Sequence, residues 1–295
     1  MPIDAIDTHP SRYALSKVPE LTVYFWIIKI FATTVGETAA DYVNITLGLG
    51  LQSTTMVAVA LLIVTLAAQF SARRYIPALY WWTVLLISVT GTLITDNLTD
   101  SLGVPLTVST AVFAVALGAV FTVWYLVERT LSIHSIRTRR REAFYWLAIL
   151  VTFALGTAAG DLVAEKLALG YTTSLVLFAL VIAAIAAAHY LLRLNAVLAF
   201  WAAYILTRPL GASLGDLLTQ PRYAGGLGVG TTITNAVFLV VLIALVTYLS
   251  VTHVDRIEQR DRSADSYPDE TTDQECHRHR DGTADHHAPH RAPRR

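Results

Sequence analysis

The chain alternates long apolar stretches with short polar ones, leaving eight apolar runs close to the roughly 20 residues that cross about 30 Å of hydrocarbon. They lie at Leu21–Val43, Met56–Phe70, Ala78–Leu98, Leu106–Val127, Phe144–Val163, Thr173–Leu192, Val197–Leu217 and Thr231–Val251. The second is short, and the Ser53-Thr54-Thr55 cluster is expected to supply its first turn. This pattern predicts an all-α integral membrane protein with eight transmembrane helices.

A repeat underlies the pattern. Trp26, Gly36 and Asp41 are spaced by ten and then five residues, and so are Trp81, Gly91 and Asp96; Trp146, Gly156 and Asp161; and Trp201, Gly211 and Asp216. An aromatic precedes each tryptophan: Phe25, Tyr80, Tyr145 and Phe200. The glycines are 55, 65 and 55 residues apart, so the chain reads as four copies of a two-helix unit with ten residues inserted at its midpoint. Self-similarity of this kind sets the architecture before any single element does.

The connections give an expected orientation. Arg73-Arg74 lie between spans two and three, Arg137 and Arg139-Arg140-Arg141 between four and five, and Arg193 between six and seven. The connections after spans one, three and five hold one lysine, Lys166, and no arginine, while the last such connection holds Arg222. The excess of basic residues marks the cytoplasmic side and places both termini there. All four units then run in parallel, related by an axis along the membrane normal. The expected organisation is a cytoplasmic segment 1–18, a membrane domain 19–252 with repeats at about 19–74, 75–136, 142–193 and 195–252, and a tail 253–295.

Composition agrees with a membrane protein: 295 residues, 54% hydrophobic and 15% charged, with a mean hydropathy of +0.51. The formal net charge is +0 and no basic, aromatic-interleaved surface appears, so nucleic acid is not an expected partner. The one cysteine, Cys276, excludes a disulfide framework and a four-thiolate metal site. The first residues carry two acids and no basic stretch leading into an apolar run, unlike a cleavable signal peptide.

Four tandem two-helix units, each with a tryptophan, resemble the bacterial membrane proteins built from a four-fold repeat of unknown function, often called uncharacterised membrane-anchored proteins. The resemblance extends over about Lys17 to Val251, and its most specific part is Phe25-Trp26 with Gly36-Glu37-Thr38-Ala39-Ala40-Asp41. It implies the fold and a multi-pass address in the bacterial cytoplasmic (inner) membrane. It supplies no reaction.

Function therefore has to come from the ionisable residues, which are costly inside a bilayer unless paired or wet. Fifteen residues separate Trp26 from Asp41, about 22 Å of helix, which sets the aspartates in the outer third of the membrane. Asp41, Asp96, Asp161 and Asp216 are expected to form a ring at one depth if the odd helices surround a common axis. A second acid lies one turn from three of them: Glu37 before Asp41, Asp100 after Asp96 and Glu165 after Asp161. The fourth unit has Gln220 at that place. So many carboxylates at one depth need a cation, bound protons or a basic partner, and the basic residues within spans are few: Lys29, and Arg208 beside Pro209, which is expected to kink its helix. A surplus of negative charge facing water is what a cation pathway requires. The plainer reading is that the acids mark the outer interface, most of all Asp100 and Glu165.

The supporting residues have two readings each. Thr54, Ser109 and Ser174 open the return helices, either as neutral oxygen ligands or as helix N-caps. Gly36, Gly91, Gly156 and Gly211 are expected to let the odd helices pack closely, with hinging as the alternative. Trp26, Trp81, Trp146 and Trp201 are expected to anchor the inner interface. His189 reads as an interfacial residue, and His134 is uninformative.

From His253 the sequence turns polar, which predicts a disordered tail. His277, His279, His286, His287 and His290 could gather a metal weakly, but their spacing fits no closed zinc site.

The expected function is a cation transporter, a channel or secondary carrier, with a divalent metal such as manganese favoured as cargo, proton-coupled export as one option, and direction and coupling left open. The aspartates and Glu37 bind the ion or exchange protons, and Arg208 resets the empty site. The alternative is a non-transporting scaffold or sensor with structural carboxylates. No catalytic motif points to an enzyme and no resident cofactor is expected; the partners are the lipid bilayer and a small inorganic cation.

Overall fold

A computed structural model of the chain describes residues 17–133, 136 and 138–255. Among these residues there are eight α-helices and no strand: α1 (Val23–Asp41), α2 (Leu51–Ser71), α3 (Pro77–Asp96), α4 (Leu106–Glu128), α5 (Arg139–Asp161), α6 (Gly170–Leu192), α7 (Ala196–Thr219) and α8 (Thr231–Thr252). Polar side chains and proline mark the starts. Thr22 Oγ1 accepts from Phe25 N, Thr138 Oγ1 from Arg141 N, and Asn195 Oδ1 from Val197 N and Leu198 N, while Pro77 opens α3 where its missing N–H costs nothing. α2 begins at Leu51, so the Ser53-Thr54-Thr55 cluster is inside its first turns.

Seven of the eight helices, α2 to α8, are long and apolar enough to cross a membrane, the build of a multi-pass membrane protein. α1 is not among them, because Lys29, Glu37, Asp41 and three threonines dilute its hydropathy. That same helix is one of the most buried. The expectation of eight apolar spans is corrected on this point, and the reason is that α1 sits inside the protein and meets other helices more than solvent or lipid.

The odd and even helices form two layers. α1, α3, α5 and α7 pack in a closed ring, each against the next and α7 back against α1. The even helices stand outside, and each leans on the odd helix of the following unit: α2 on α3, α4 on α5, α6 on α7, and α8 on α1. Burial follows this division. The odd helices carry most of the buried residues, whereas α6 buries only Ser174 and Phe178 and its leucines and valines face outward.

Three units end their odd helix in the same way. A π turn follows the aspartate directly, at Tyr42–Thr46, Asn97–Ser101 and Leu162–Lys166, closed by bonds from Leu47 N, Leu102 N and Leu167 N to carbonyls five residues back. Such wide turns are rare and concentrate at functional places. The fourth unit has none there. α7 runs unbroken through Pro209 and past Asp216 to Thr219, and a short 3₁₀ turn, Arg222–Ala224, comes next.

Candidate functional site: a charged axis inside the ring

The repeat register brings equivalent residues to one level of the ring, beginning with the glycines. Gly36 abuts Ser88, Gly91 abuts Phe153, Gly156 abuts the Cβ–Cγ stem of Arg208, and Gly211 abuts Thr33. Each of those neighbours stands three residues before its own unit's glycine. All four contacts are therefore one contact repeated around the ring, and a Cβ at any of the glycines would collide with the next helix. At this level the missing Cβ is what lets each odd helix approach the next.

One turn-fraction further toward the aspartates stand Glu37, Thr92, Thr157 and Ala212, each just after its glycine. Arg208 reaches from α7 into this level. Its Nη2 donates to Glu37 Oε2 at 2.5 Å and to Thr157 Oγ1 at 2.7 Å, and it also bonds Thr92 Oγ1, which itself donates to Glu37 Oε2 at 3.1 Å. One guanidinium thus ties together α1, α3, α5 and α7. The arginine is 0% exposed and Glu37 6%. Breaking such a buried pair by removing one partner leaves a charge without compensation, at a cost of about 3–5 kcal/mol.

The aspartates come next along the axis. Asp216 is buried, at 8% exposure, and Asp41, Asp96 and Asp161 are half-buried. Glu37 lies within electrostatic reach of all four, Asp41 reaches Asp96, Asp161 and Asp216, and Arg208 reaches Asp161. They form one electrostatic cluster, yet among the described residues no hydrogen bond or ion pair holds any of the four carboxylates. Asp100 and Glu165, exposed in their π turns, stand at the rim; Tyr171 OH donates to Glu165 Oε1 at 3.4 Å. As the side chains stand, no group of three His, Cys, Asp or Glu among the described residues is close enough to hold a metal ion.

On the other side of the glycines the axis is aromatic. Lys29 is 0% exposed and its Nζ has no hydrogen-bond partner; it lies 3.9 Å from the centre of the Tyr204 ring and 4.4 Å from that of Phe153. The scaffold alternative pairs this lysine with the acids, and here the structure differs: among the described residues Lys29 is in no ion pair, and its amine lies against the Phe153 ring that Arg208 also approaches, at 5.6 Å. Beyond Lys29, Phe25, Trp81, Tyr80, Tyr145, Trp201 and Tyr204 fill the ring, with Tyr80 OH and Tyr145 OH 2.5 Å apart.

The tryptophans depart from their expected role. Trp81, Trp146 and Trp201 are buried in the core, and Trp201 Nε1 donates to Leu131 O at 3.0 Å; only Trp26 is half-exposed. They face inward because the odd helices form the inner layer, and the even helices, with Tyr125, Tyr190 and Tyr248, present exposed aromatic surface, joined by Trp82 from the outer side of α3. The hydroxyls Thr54, Ser109 and Ser174 are also placed differently from an N-cap. All three are buried in the first turns of their helices, whose cap positions are Gly50, Pro105 and Leu169, and Thr54 and Ser174 donate back to the carbonyls of Gly50 and Gly170. Ser109 Oγ has no hydrogen-bond partner among the described residues. Cys276, His277, His279, His286, His287, His290, His134 and Arg137 lie outside the described residues.

Sequence reasoning missed Thr92 and Thr157 as partners of Arg208. The signal was present: both occupy the position that holds Glu37 in the first unit. It also missed a buried cluster at the tryptophan end, where Lys17 Nζ pairs with Glu142 Oε2 at 2.6 Å and Tyr75 OH donates to Asp255 Oδ2 at 2.5 Å. Nothing in the local sequence marks those partners, which are up to 180 residues apart.

The fold and its axis define a class: a helical protein of membrane-spanning build, made of four tandem two-helix repeats closed into a ring. The repeat of the family described as "Repeat of Unknown Function (DUF347)" matches residues 24–75, 79–130, 144–195 and 199–255, and the chain belongs to that family. Searches of curated proteins and of solved structures each found no match.

Proposed function

We propose that the protein is a secondary carrier for a cation, with a divalent metal such as manganese as cargo, in the bacterial cytoplasmic membrane. The observation that carries this reading is the cluster of Asp41, Asp96, Asp161 and Asp216, each within electrostatic reach of Glu37 and of at least one other aspartate, while the only charge paired to any of these acids is Arg208 on Glu37 among the described residues. Carboxylates with threonine hydroxyls nearby offer the hard oxygen donors that manganese and magnesium prefer. The ligands are not drawn together in this arrangement, so binding requires that the side chains converge on the ion. A filled, aromatic axis below Arg208 favours a carrier over an open pore. The basic connections support an orientation with both termini in the cytoplasm and the aspartates toward the outer face.

In this cycle Arg208 occupies Glu37 while the site is empty and yields it to the arriving cation, which substitutes for the guanidinium charge. The test is flux of manganese, magnesium, zinc and nickel into proteoliposomes for the wild type and Asp41→Asn. Loss of flux in the variant supports the reading, and unchanged flux removes Asp41 from it.

A second reading is favoured by one contact. Arg208 binds residues of three other helices, which is what a structural staple does, and on that reading the protein is a scaffold or sensor. Replacing the aspartates with asparagine then lowers stability and leaves cellular metal content unchanged.

A further inference from the structure

Lys29 is a buried charged group on the axis that the carrier cycle above does not use. Its equivalents in the other units are Val84, Ile149 and Tyr204, so the repeat itself has no need of an amine at this level. The amine is fully buried, makes no hydrogen bond, and touches the faces of Phe153 from α5 and Tyr204 from α7. Arg208 is the charged group whose field reaches it; among the described residues no acid on α3, α5, α7 or α8 does, and Glu37 lies two turns away on its own helix. Arg208 cannot share the duty of a proton carrier, since a guanidinium keeps its proton in proteins. A lysine in such surroundings can give up its proton, as its compact amine does readily when desolvated.

Groups that can carry a proton stand on either side of Lys29, without a continuous chain of hydrogen bonds: Tyr204 OH has no hydrogen-bond partner among the described residues. Toward the tryptophan end, Tyr204 stands beside it, the Tyr204 and Tyr145 side chains lie within electrostatic reach, Tyr145 OH and Tyr80 OH are 2.5 Å apart, the Tyr80 and Tyr75 rings are in contact at 5.6 Å, and Tyr75 OH donates to Asp255. Toward the other end come Arg208, Glu37 with its two threonines, and the aspartates. Hydroxyl and carboxyl groups thus occur at level after level of the axis, and Lys29 stands where the two sets meet.

Resting on the carrier reading, we propose that the Lys29 ε-amine is the proton-carrying group that couples cation movement to a proton gradient. It exchanges its proton with the aspartate end through Glu37 and with the tryptophan end through the Tyr204, Tyr145, Tyr80 and Tyr75 hydroxyls. In loading, Glu37, left by the cation and not yet retaken by Arg208, takes a proton from the aspartate side, and its O–H bond breaks as an N–H bond forms on the amine; in unloading, the N–H bond breaks and the proton leaves through the hydroxyls. Coupling is electrostatic: a cation held beside Glu37 and a proton on Lys29 repel across a dry core, so each favours the other's departure.

The experiment uses the full chain in proteoliposomes with manganese as the probe and a pH-sensitive dye inside. Two readouts are taken: manganese counterflow, which needs no net proton movement, and manganese-driven proton movement. Lys29→Met is expected to keep counterflow and to lose proton movement at least about tenfold; Lys29→Arg, which fills the site with a charge that does not leave, is expected to lose proton movement and to weaken counterflow as well. Tyr204→Phe is expected to slow proton movement selectively. Wild-type proton coupling in either lysine variant overturns the proposal while leaving the carrier reading intact. Loss of counterflow in both variants overturns it as well, since Lys29 then serves the bundle's integrity. Absence of counterflow in the wild type overturns the carrier reading and this proposal with it.

Discussion

Gly156 on α5 lies against the Cβ and Cγ of Arg208 on α7, so closely that the glycine's missing side chain is what admits the arginine. The contact that closes one side of the ring is also the contact that aims the guanidinium at Glu37, Thr92 and Thr157. Packing and charge placement are one design at this position.

Gly156→Leu therefore displaces the arginine as well as the helix. Forcing extra volume into a packed core costs typically about 1–3 kcal/mol, and here the displaced guanidinium loses its partners in addition. The expected result is a larger fall in thermal unfolding temperature in detergent than for Gly160→Leu, whose nearest neighbours are 3.5 Å from a would-be Cβ. Equal losses would separate the packing role of Gly156 from the placement of Arg208.

Glu37→Gln leaves Arg208 buried with neutral acceptors only. A loss of about 3–5 kcal/mol is expected from removing one partner of a buried pair. The double variant Glu37→Gln, Arg208→Met should recover much of it, because no charge is then stranded. A double-mutant cycle on unfolding midpoints measures the coupling directly.

Asp96 and Asp100 are one turn apart and differ in exposure, half-buried against exposed. On the carrier reading Asp96→Asn lowers manganese flux by about tenfold or more, the effect of losing roughly 1.4 kcal/mol of ion binding. Asp100→Asn should change it little at 0.15 M salt, where exposed charges are screened within about 8 Å. Comparable losses in the two variants would put the pathway at the rim and not at the half-buried ring.

Tyr75 offers a test by pH at the tryptophan end. Burial first, and then the Asp255 carboxylate, hold its hydroxyl above the usual tyrosine range. The folded protein keeps that proton to higher pH than the unfolded chain, so the contribution to stability is complete below about pH 10 and is lost as pH rises further. Unfolding midpoints measured from pH 8 to pH 11 should fall less steeply in Tyr75→Phe than in the wild type.

The frame of this structure was legible because the repeat is written in absolute spacing. Tryptophan, glycine and aspartate fix the register of each odd helix, and the ring follows once four registers are set side by side. Arg208 and Glu37 could be singled out as breaks in that register, but their pairing could not, since it depends on which odd helices are neighbours. The burial of Trp81, Trp146 and Trp201 was hidden for a related reason. An amphipathic ring at a helix end suits an interface equally well from either layer, and the sequence of one helix does not say which layer it occupies. Lys29 illustrates the converse: read alone it is a countercharge for the acids, and only the rings of Phe153 and Tyr204 from other units show why it is not.

The offset by which each outer helix rests on the next unit's inner helix gives the protein an order of completion. Among the described helices α1 comes first along the chain and is covered by α8, which comes last. The inner ring is complete once α7 packs back on α1, so α8 adds the outer cover that α1 lacks until then. A chain cut short before α8 keeps its ring and leaves the helix that carries Lys29, Glu37 and Asp41 bare on its outer side.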